Sequence, residues 1–486
     1  MGITSESVRF VVDPEAGEAG GRLGEPPPFR ILILGDFSGK GDSGTAESIG
    51  APMAVDRDVI DRVLASVGPK LELPSAGDAA PIEISFREID DFTPDRIFAR
   101  VSRFEELGDA LRRLERGGGS EGAAPGGSGN LLDMILGASV AKPAAPAPVP
   151  ASPIEAFFRE VGETHAVSAD RAVDPGLRGG LASALGRLMS SILHHPRFQA
   201  LEASWRSLDR LTRKLDTDRT LGIAILDVSK SALAADFSSA GRLEKSKIHE
   251  RVVAPAIGDA KAPKWSVIVA DYEFGPTQED VVLLGYLGML AKAAGAPVLA
   301  GASPKLLGSP AIHESPEPRS WDRDANDDGQ AAFDALRTLP VAPWIGLALP
   351  RLLARLPYSV SDRPIEAFAY DEFPVDSPPA HEHFVWANPS YALAELLGRS
   401  FREDEWEMKP GTQTELLDLP VFVDRSTADH EILPCAEVIF TQASVEEILD
   451  HGLMPMLSYR NRDAVRVGRF QSIANPPGPL SGPWRI

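Results

Sequence analysis

The sequence predicts an α/β protein with mixed β-sheets flanked by helices, built from two segments on either side of a glycine-rich break. Phe29 to Gly39 (FRILILGDFSG) and Trp265 to Gly275 (WSVIVADYEFG) are both short apolar runs that close on an acidic residue, an aromatic and a glycine. From Leu221 to Ala302, apolar strand runs alternate with helical periodicity, the pattern of crossovers in a mainly parallel sheet. Between Gly117 and Ser152 the composition shifts sharply to Gly, Ala and Pro. The organisation read from this is a first unit over residues 1–116, a linker over 117–152, a helical segment over 153–215 and a second unit over 216–486.

In the first unit, Ser7 to Asp13 reads as an opening strand with Val8, Phe10 and Val12 on one face. Phe29 to Leu34 is apolar on both faces and is expected to be a central strand. Val55 to Val67 carries Val59, Ile60, Val63, Leu64 and Val67 at helical spacing. Pro81 to Phe86 alternates as a strand. Thr93-Pro94 supplies an N-cap and first-turn proline for a helix expected to continue through Leu114. In the linker, GGGSEGAAPGGSGN and PAAPAPVPAS flank a short apolar island, Leu131 to Gly137 (LLDMILG). That island is either a chance patch or a segment that orders on a partner.

Pro153 to Lys214 reads as helical, with Leu181, Leu185, Leu188 and Ile192 on one stripe and Trp205, Leu208 and Leu211 on another. Strands follow at Leu221 to Val228, Trp265 to Ala270, Pro297 to Ala302 and Trp344 to Leu349. Helices are expected from Ser229 onward, at Gln278 to Ala294, at Ser390 to Phe401 and at Ser444 to Asp450. Loops dominate the remainder beyond Pro364, and no solenoid-type repeat is visible.

Composition narrows the function. The 49 basic and 70 acidic side chains among 486 residues give a formal charge of −21. A field of that sign opposes phosphate attraction, so nucleic acid is not an expected partner. One cysteine, Cys435, leaves no internal disulfide or cysteine-based zinc cluster and fits a reducing compartment. The start MGITSESVRF lacks a signal-peptide pattern, and Glu6 stands where a myristoylation signal needs Ser or Thr. Val281 to Ala300 is the most apolar stretch, yet Lys292, two interior glycines and Pro297 make it a buried helix and strand. Direct membrane insertion is not expected.

The motifs do not assemble a catalytic set. In GDFSGKGDSGT, Gly35 and Gly39 enclose three residues where a phosphate loop needs four before Gly-Lys, and Gly41 follows Lys40 where a hydroxyl is needed. A plain turn is the better reading. His381 and His383 share one side of an extended segment without a third ligand and read as an exposed loop. His194 and His195 sit at a helix end, where imidazoles cap carbonyls. Asp90 and Asp91 read as helix caps. Asp271 and Glu273 end a strand where an α/β enzyme places a carboxylate, but no nucleophile or base accompanies them. No catalytic residue, metal ligand or cofactor site is expected.

Two sets of residues carry a resemblance. RFVVD, PPPFRILILGDFSG, VDRDVIDRVLASVGPKLELP and ISFREIDDFTPDRI resemble, in order, the small subunit of the type VI secretion contractile sheath (TssB- or VipA-like). HHPRFQALEASWRSLDRL, ILDVSKSALAADF, VIVADYEFG, AGAPVLAGASPKLLG, IGLALPRLLARLPY, FVWANPSYALAELLGRSF and GLMPMLSYRNRDAVRVGRFQS resemble its large subunit (TssC- or VipB-like). The likeness covers about Val8 to Leu114 and Ile192 to Ser472, as a fusion of two partners usually made separately.

The resemblance implies a structural subunit and not an enzyme. It implies a bacterial cytoplasmic location and sheath-type modules that polymerise with copies of themselves or with other sheath subunits around an inner tube protein. A baseplate and a recycling unfoldase ATPase are the further partners implied. Val8, Phe10 and Val12 become the candidate inter-protomer strand. Leu131, Leu132, Met134, Ile135 and Leu136 become the candidate ATPase or partner docking segment. The family's large subunit continues beyond the QSI-type segment, whereas this sequence closes on NPPGPLSGPWRI. A shortened carboxyl end is therefore expected, with a non-polymerising cap, adaptor or regulatory decoy as the alternative function and an enzyme using Asp271 and Glu273 as a further one.

Overall fold

The computed structural model describes residues 26–74, 81–104, 108, 175–258, 264–323, 327–374, 379–424 and 431–484. The expected strand at Ser7 to Asp13, the linker, its apolar island and residues 153–174 lie outside the described residues. In chain order the strands are β1 (Phe29–Gly35), β2 (Met53–Val55), β3 (Lys70–Leu73), β4 (Ile82–Ser85), β5 (Leu221–Asp227), β6 (Val267–Phe274), β7 (Val298–Ala302), β8 (Ile345–Leu349), β9 (Leu352–Leu353), β10 (Trp386–Ala387), β11 (Glu415–Leu416), β12 (Val423–Asp424), β13 (Glu431–Ile432), β14 (Met454–Ser458) and β15 (Val465–Val467). The helices are α1 (Ile60–Val67), α2 (Pro94–Arg100), α3 (Pro175–Leu193), α4 (Pro196–Lys214), α5 (Lys230–Ala240), α6 (Lys247–Val252), α7 (Ala254–Gly258), α8 (Gln278–Ala294), α9 (Asp328–Arg337), α10 (Pro389–Asp404) and α11 (Gln442–Asp450).

One mixed sheet organises the described chain, in the order β11-β15-β14-β8-β7-β6-β1-β5-β2. Its centre is parallel, and the pairings at the two ends are antiparallel: β2 on β5, and β15 on both β14 and β11. The strand β1 from the first segment lies between two strands of the second. It pairs with β5 from Phe29↔Leu221 to Gly35↔Asp227 and with β6 from Ile31↔Val267 to Leu34↔Ala270. An apolar strand with no polar face has to be covered on both sides, and this one is.

Alternation along β1 divides the core in two. Phe29, Ile31 and Ile33 pack with Leu64, Trp205, Leu208 and Leu397 on one face. Leu32 and Leu34 pack with Leu233, Phe237, Leu284 and Phe333 on the other. The five apolar β1 side chains are fully buried, each contributing about 1.5–3 kcal/mol relative to exposure. Helices α4 and α10 thus lie against one face, with α5, α8 and α9 against the other. The β3–β4 hairpin is a separate two-stranded sheet.

Most expected elements are present, with shifted bounds. The helix expected from Val55 begins at Ile60, because Met53–Val55 is edge strand and the Asp56 carboxylate accepts from the Asp58 and Val59 N–H groups to make a turn. The helix starting at Pro94 does not run on to Leu114: Val101 is extended (φ −88°, ψ 111°) and interrupts it, while Val101 and Phe104 both remain buried. Beyond Pro364 the chain is less loop-like than expected, since β14 and β15 extend the main sheet. The Val281 to Ala300 stretch is helix α8 followed by β7, and no helix among the described residues is long and apolar enough to cross a membrane.

Because β1 is hydrogen-bonded on both sides by the second segment, cutting the connection should not separate the two. With a specific protease site placed within residues 117–152, the cleaved halves are expected to elute together from a sizing column at the volume of the intact chain. Leu32→Asp in the same background is expected to abolish co-elution. Separate elution of the otherwise unaltered halves contradicts this account.

Candidate functional site: the seam between the segments and its buried ionic core

The seam begins where the parallel strands end. Three aspartates meet the carboxyl ends of β1, β5 and β6: Asp36, Asp227 and Asp271. The Asp36 carboxylate accepts from the N–H groups of Lys40 (3.0 Å) and Gly41 (2.6 Å), and Asp227 accepts from Ser38 N (2.9 Å). The backbone donors that a phosphate loop would offer are therefore occupied by carboxylates, in agreement with the turn reading of GDFSGKGDSGT. Two glycines are needed here. A Cβ on Gly35 would lie 3.2 Å from Asp271 Cβ and 3.1 Å from the Phe37 ring, and Gly39 has φ +73°.

Helix α4 clasps this turn from the second segment. Trp205 Nε1 donates to Phe37 O (3.0 Å), and the two rings meet edge-on at 5.2 Å. Arg197 donates to Gly39 O and Glu72 O, both at 3.1 Å. Farther along, Glu366 and Ala367 donate their N–H groups to Asp95, and Trp406 Nε1 donates to Pro27 O at the entry to β1. Polar contacts thus register the first segment at several separated points.

Asp271 and Glu273 do not form an acid–base pair. Tyr391 OH donates to Asp271 Oδ2 (3.0 Å), whereas Glu273 is exposed and its backbone carbonyl accepts from Lys230 Nζ (2.6 Å). Their strand is irregular between Ala270 and Glu273. Burial pushes the Asp271 carboxyl up to about 6, against the lowering effect of hydrogen bonds from Ser204 and Tyr391. Tyr272 points to the opposite face, where its hydroxyl donates to Val228 O (2.7 Å).

The most polar part of the interior joins α4 to the chain after β9. Arg355, 5% exposed, donates Nε to Glu202 Oε1 (2.8 Å) and both terminal nitrogens to Glu372 (2.8 and 3.0 Å). Arg206 Nε reaches the same Glu202 oxygen (2.7 Å), and Tyr358 N donates to Glu372 Oε2 (2.9 Å). Burial alone would push the Glu372 carboxyl up, but the Arg355 guanidinium and donated hydrogen bonds draw it down to about 2. A second cluster repeats the logic. Arg351 pairs with Glu437 through Nη2 (2.5 Å) and Nε (3.0 Å), and Glu437 is likewise about 2 against the opposing effect of burial.

The histidines depart from expectation. His381 and His383 lie in a 3-10 turn and are partly buried, not in an exposed loop. His381 Nε2 is 3.1 Å from Glu437, and its ring stacks on His313 (3.6 Å). His383 stacks on His194 (4.0 Å), which faces Glu372 at 3.5 Å. His195 caps N–H groups, not carbonyls: it precedes α4 and its Nδ1 accepts from Arg197 N (3.2 Å). Asp91 serves the 3-10 turn before α2, accepting from Arg87 N and Glu88 N and pairing with Arg100. No group of three metal-binding side chains is present among the described residues.

A cleft of about 290 Å³ opens between α4, β9, β10, α10 and the turn at Leu416–Pro420. The charges around it are paired: Arg210 with Glu395 (3.2 Å), Lys214 with Asp418 (2.8 Å) and Arg213 with Asp209 (2.8 Å). Val8, Phe10 and Val12, and Leu131, Leu132, Met134, Ile135 and Leu136, lie outside the described residues. The sequence reading missed Glu202, Arg355 and Glu372. One signal was available: Glu202 falls among Phe198, Leu201, Trp205 and Leu208 on the buried face of α4, and a carboxylate there demands a cation.

Two outcomes test this chemistry. Arg355→Leu leaves Glu372 without its guanidinium and Glu202 with Arg206 alone, and is expected to cost about 3–5 kcal/mol, read from the shift in urea midpoint. Arg355→Lys, which loses the forked geometry, should lose less. The Asp271 pKa is higher folded than unfolded, so its favourable contribution is complete below about 3.8 and is lost as pH rises through about 6. Asp271→Asn is therefore expected to raise stability at pH 8 by at most ~3 kcal/mol, with the advantage gone by pH 4. An equal effect at both pH values refutes the assignment.

Comparison with known proteins agrees with this arrangement. Residues 8–116 match the family described as type VI secretion system, VipA, VC_A0107 or Hcp2. Residues 180–474 match the family described as EvpB/VC_A0108, tail sheath N-terminal domain (VipB). A relative, type VI secretion system sheath protein TssC1 of Pseudomonas aeruginosa, is 30% identical over 291 residues, 59% of this chain. The chain spans 58% of that relative's length. With both matches in a single polypeptide and the larger covering more than half of it, the chain belongs to the type VI secretion tail sheath family, as a fusion of a VipA-type segment to a VipB-type one.

Proposed function

We propose that this chain is a structural subunit of a type VI contractile sheath, a fused equivalent of the small and large subunits, forming or modifying the tube whose contraction propels an inner tube. The observation that carries this is β1: a strand of the VipA-type segment is hydrogen-bonded within the VipB-type sheet. A contractile lattice needs a rigid repeating unit and large interfaces, with no requirement for an active site. The occupied loop donors at Asp36, the Tyr391 contact of Asp271 and the paired charges of the cleft favour that reading over an α/β enzyme. Fusion makes strand insertion intramolecular, at an effective concentration of about millimolar order.

In this reading the chain assembles with copies of itself or with other sheath subunits in the bacterial cytoplasm. Val8, Phe10 and Val12 form the strand donated to a neighbour. Leu131, Leu132, Met134, Ile135 and Leu136 are the segment a recycling unfoldase ATPase would engage. Inner tube protein and baseplate complete the set of partners.

Electron microscopy of the purified full-length protein tests self-assembly: tubes or rings are expected, and persistent monomers would shift the reading to a cap or adaptor. Val8→Asp/Phe10→Asp/Val12→Asp is expected to abolish tubes while leaving the monomer's thermal midpoint unchanged. Leu132→Asp/Ile135→Asp is expected to leave tubes intact but slow their disassembly by added unfoldase. Unchanged disassembly counts against the docking assignment.

A further inference from the structure

The 3-10 turn His381–His383 carries two imidazoles that point into two separate stacks. His383 lies flat on His194 (centroids 4.0 Å, planes 9° apart), and His381 lies flat on His313 (3.6 Å, 4°). The three sites these rings join are distant in sequence: the elbow between α3 and α4, the turn around His313, and the segment leading to β10. Gln199 of α4 also donates to the carbonyls of Glu382 (3.0 Å) and Phe384 (3.4 Å), and Trp386 Nε1 donates to His381 O (3.0 Å). The turn therefore closes over the ionic core.

We propose that this turn is a proton-operated latch, closed while each imidazole stack carries no more than one positive charge and loosened when each takes up a second. Face-to-face rings hold their charges about 4 Å apart, so one stack accepts one proton readily and a second only by separating. In each stack one member sits beside a buried carboxylate: His194 faces Glu372 at 3.5 Å, and His381 faces Glu437 at 3.1 Å. The other member resists. Burial and the neighbouring His194 lower His383, with Glu382 and Glu372 opposing; burial and His381 lower His313, with Glu314 and Glu437 opposing and Arg351 assisting. Arg355 holds Glu372, and Arg351 holds Glu437, so neither carboxylate is free to neutralise two imidazolium ions.

The sign follows from the lowered imidazoles. The folded chain binds fewer protons than the unfolded chain between the folded pKa values and about 6.5, so stability drains away as pH falls through that window. Glu372 and Glu437 act in a separate window, from about 4.5 down to about 2. Asp271 acts with the opposite sign below about 6, and its contribution cancels when variants are compared with the parent.

The test uses the full chain with its nine histidines labelled at Cε1. Nuclear magnetic resonance titration from pH 8 to 5 is expected to show three histidines titrating below the ordinary range, two of them in two steps, and Gln replacement of His313 and His383 to remove the two-step signals. Over pH 7.5 to 5.5, the parent's fall in thermal midpoint is expected to be at least halved in His313→Gln/His383→Gln and reduced by less in His195→Gln, which removes a lowered but unstacked imidazole. If the double variant does not fold, His383→Asn alone is read against His195→Gln. Nine independent titrations near the ordinary value, or an equal fall in midpoint in every variant, overturn the latch.

Discussion

Everything in this molecule depends on the insertion of β1 between β5 and β6. Both edges of the strand are hydrogen-bonded, and its five apolar side chains are buried across both faces. An apolar strand with two open edges would be an aggregation hazard outside this slot. Equally, β5 and β6 without β1 would leave a gap at the centre of the parallel sheet. Each segment thus lacks a strand's worth of hydrogen bonding that the other supplies.

Hydrophobic burial secures that insertion, but it does not select its register. Polar contacts do so. Trp205 to Phe37 O, Arg197 to Gly39 O and Asp95 to Glu366 N lie at different places along the seam and agree on only one alignment. The Arg355–Glu202–Glu372 cluster plays the same part within the second segment, tying α4 to the chain that follows β9. Removing charges from water is costly, and the forked Arg355 geometry with full pairing is what offsets it. Such a core resists small displacements more sharply than an apolar one would, because a shift of an ångström leaves a charge unpaired. That stiffness suits the structural role proposed for the chain.

Much of the fold was legible from local pattern. The β1, β5, β7 and β8 runs, helix α8 and the stripe on α4 all have the periodicity or apolar continuity that their burial requires. Errors fell where a local rule met a competing contact. Met53–Val55 joined the sheet edge instead of opening α1, since Asp56 supports a turn. The stripe from Ile97 to Leu114 suggested one helix, yet Val101 left it while remaining in the core. The strands β14 and β15 were overlooked because three- and five-residue runs between polar turns carry little periodic signal.

The sequence by itself determined the α/β class, the central apolar strand, the family resemblance and the absence of a recognisable phosphate-loop spacing, because each of these is written in neighbouring residues. Only the tertiary structure decided that β1 sits inside the other segment's sheet, that Glu202 and Glu372 share Arg355, and that four histidines stack in two pairs. Those partners are 17 to 236 residues apart, and no periodicity spans such distances; they meet because the sheet order brings them together.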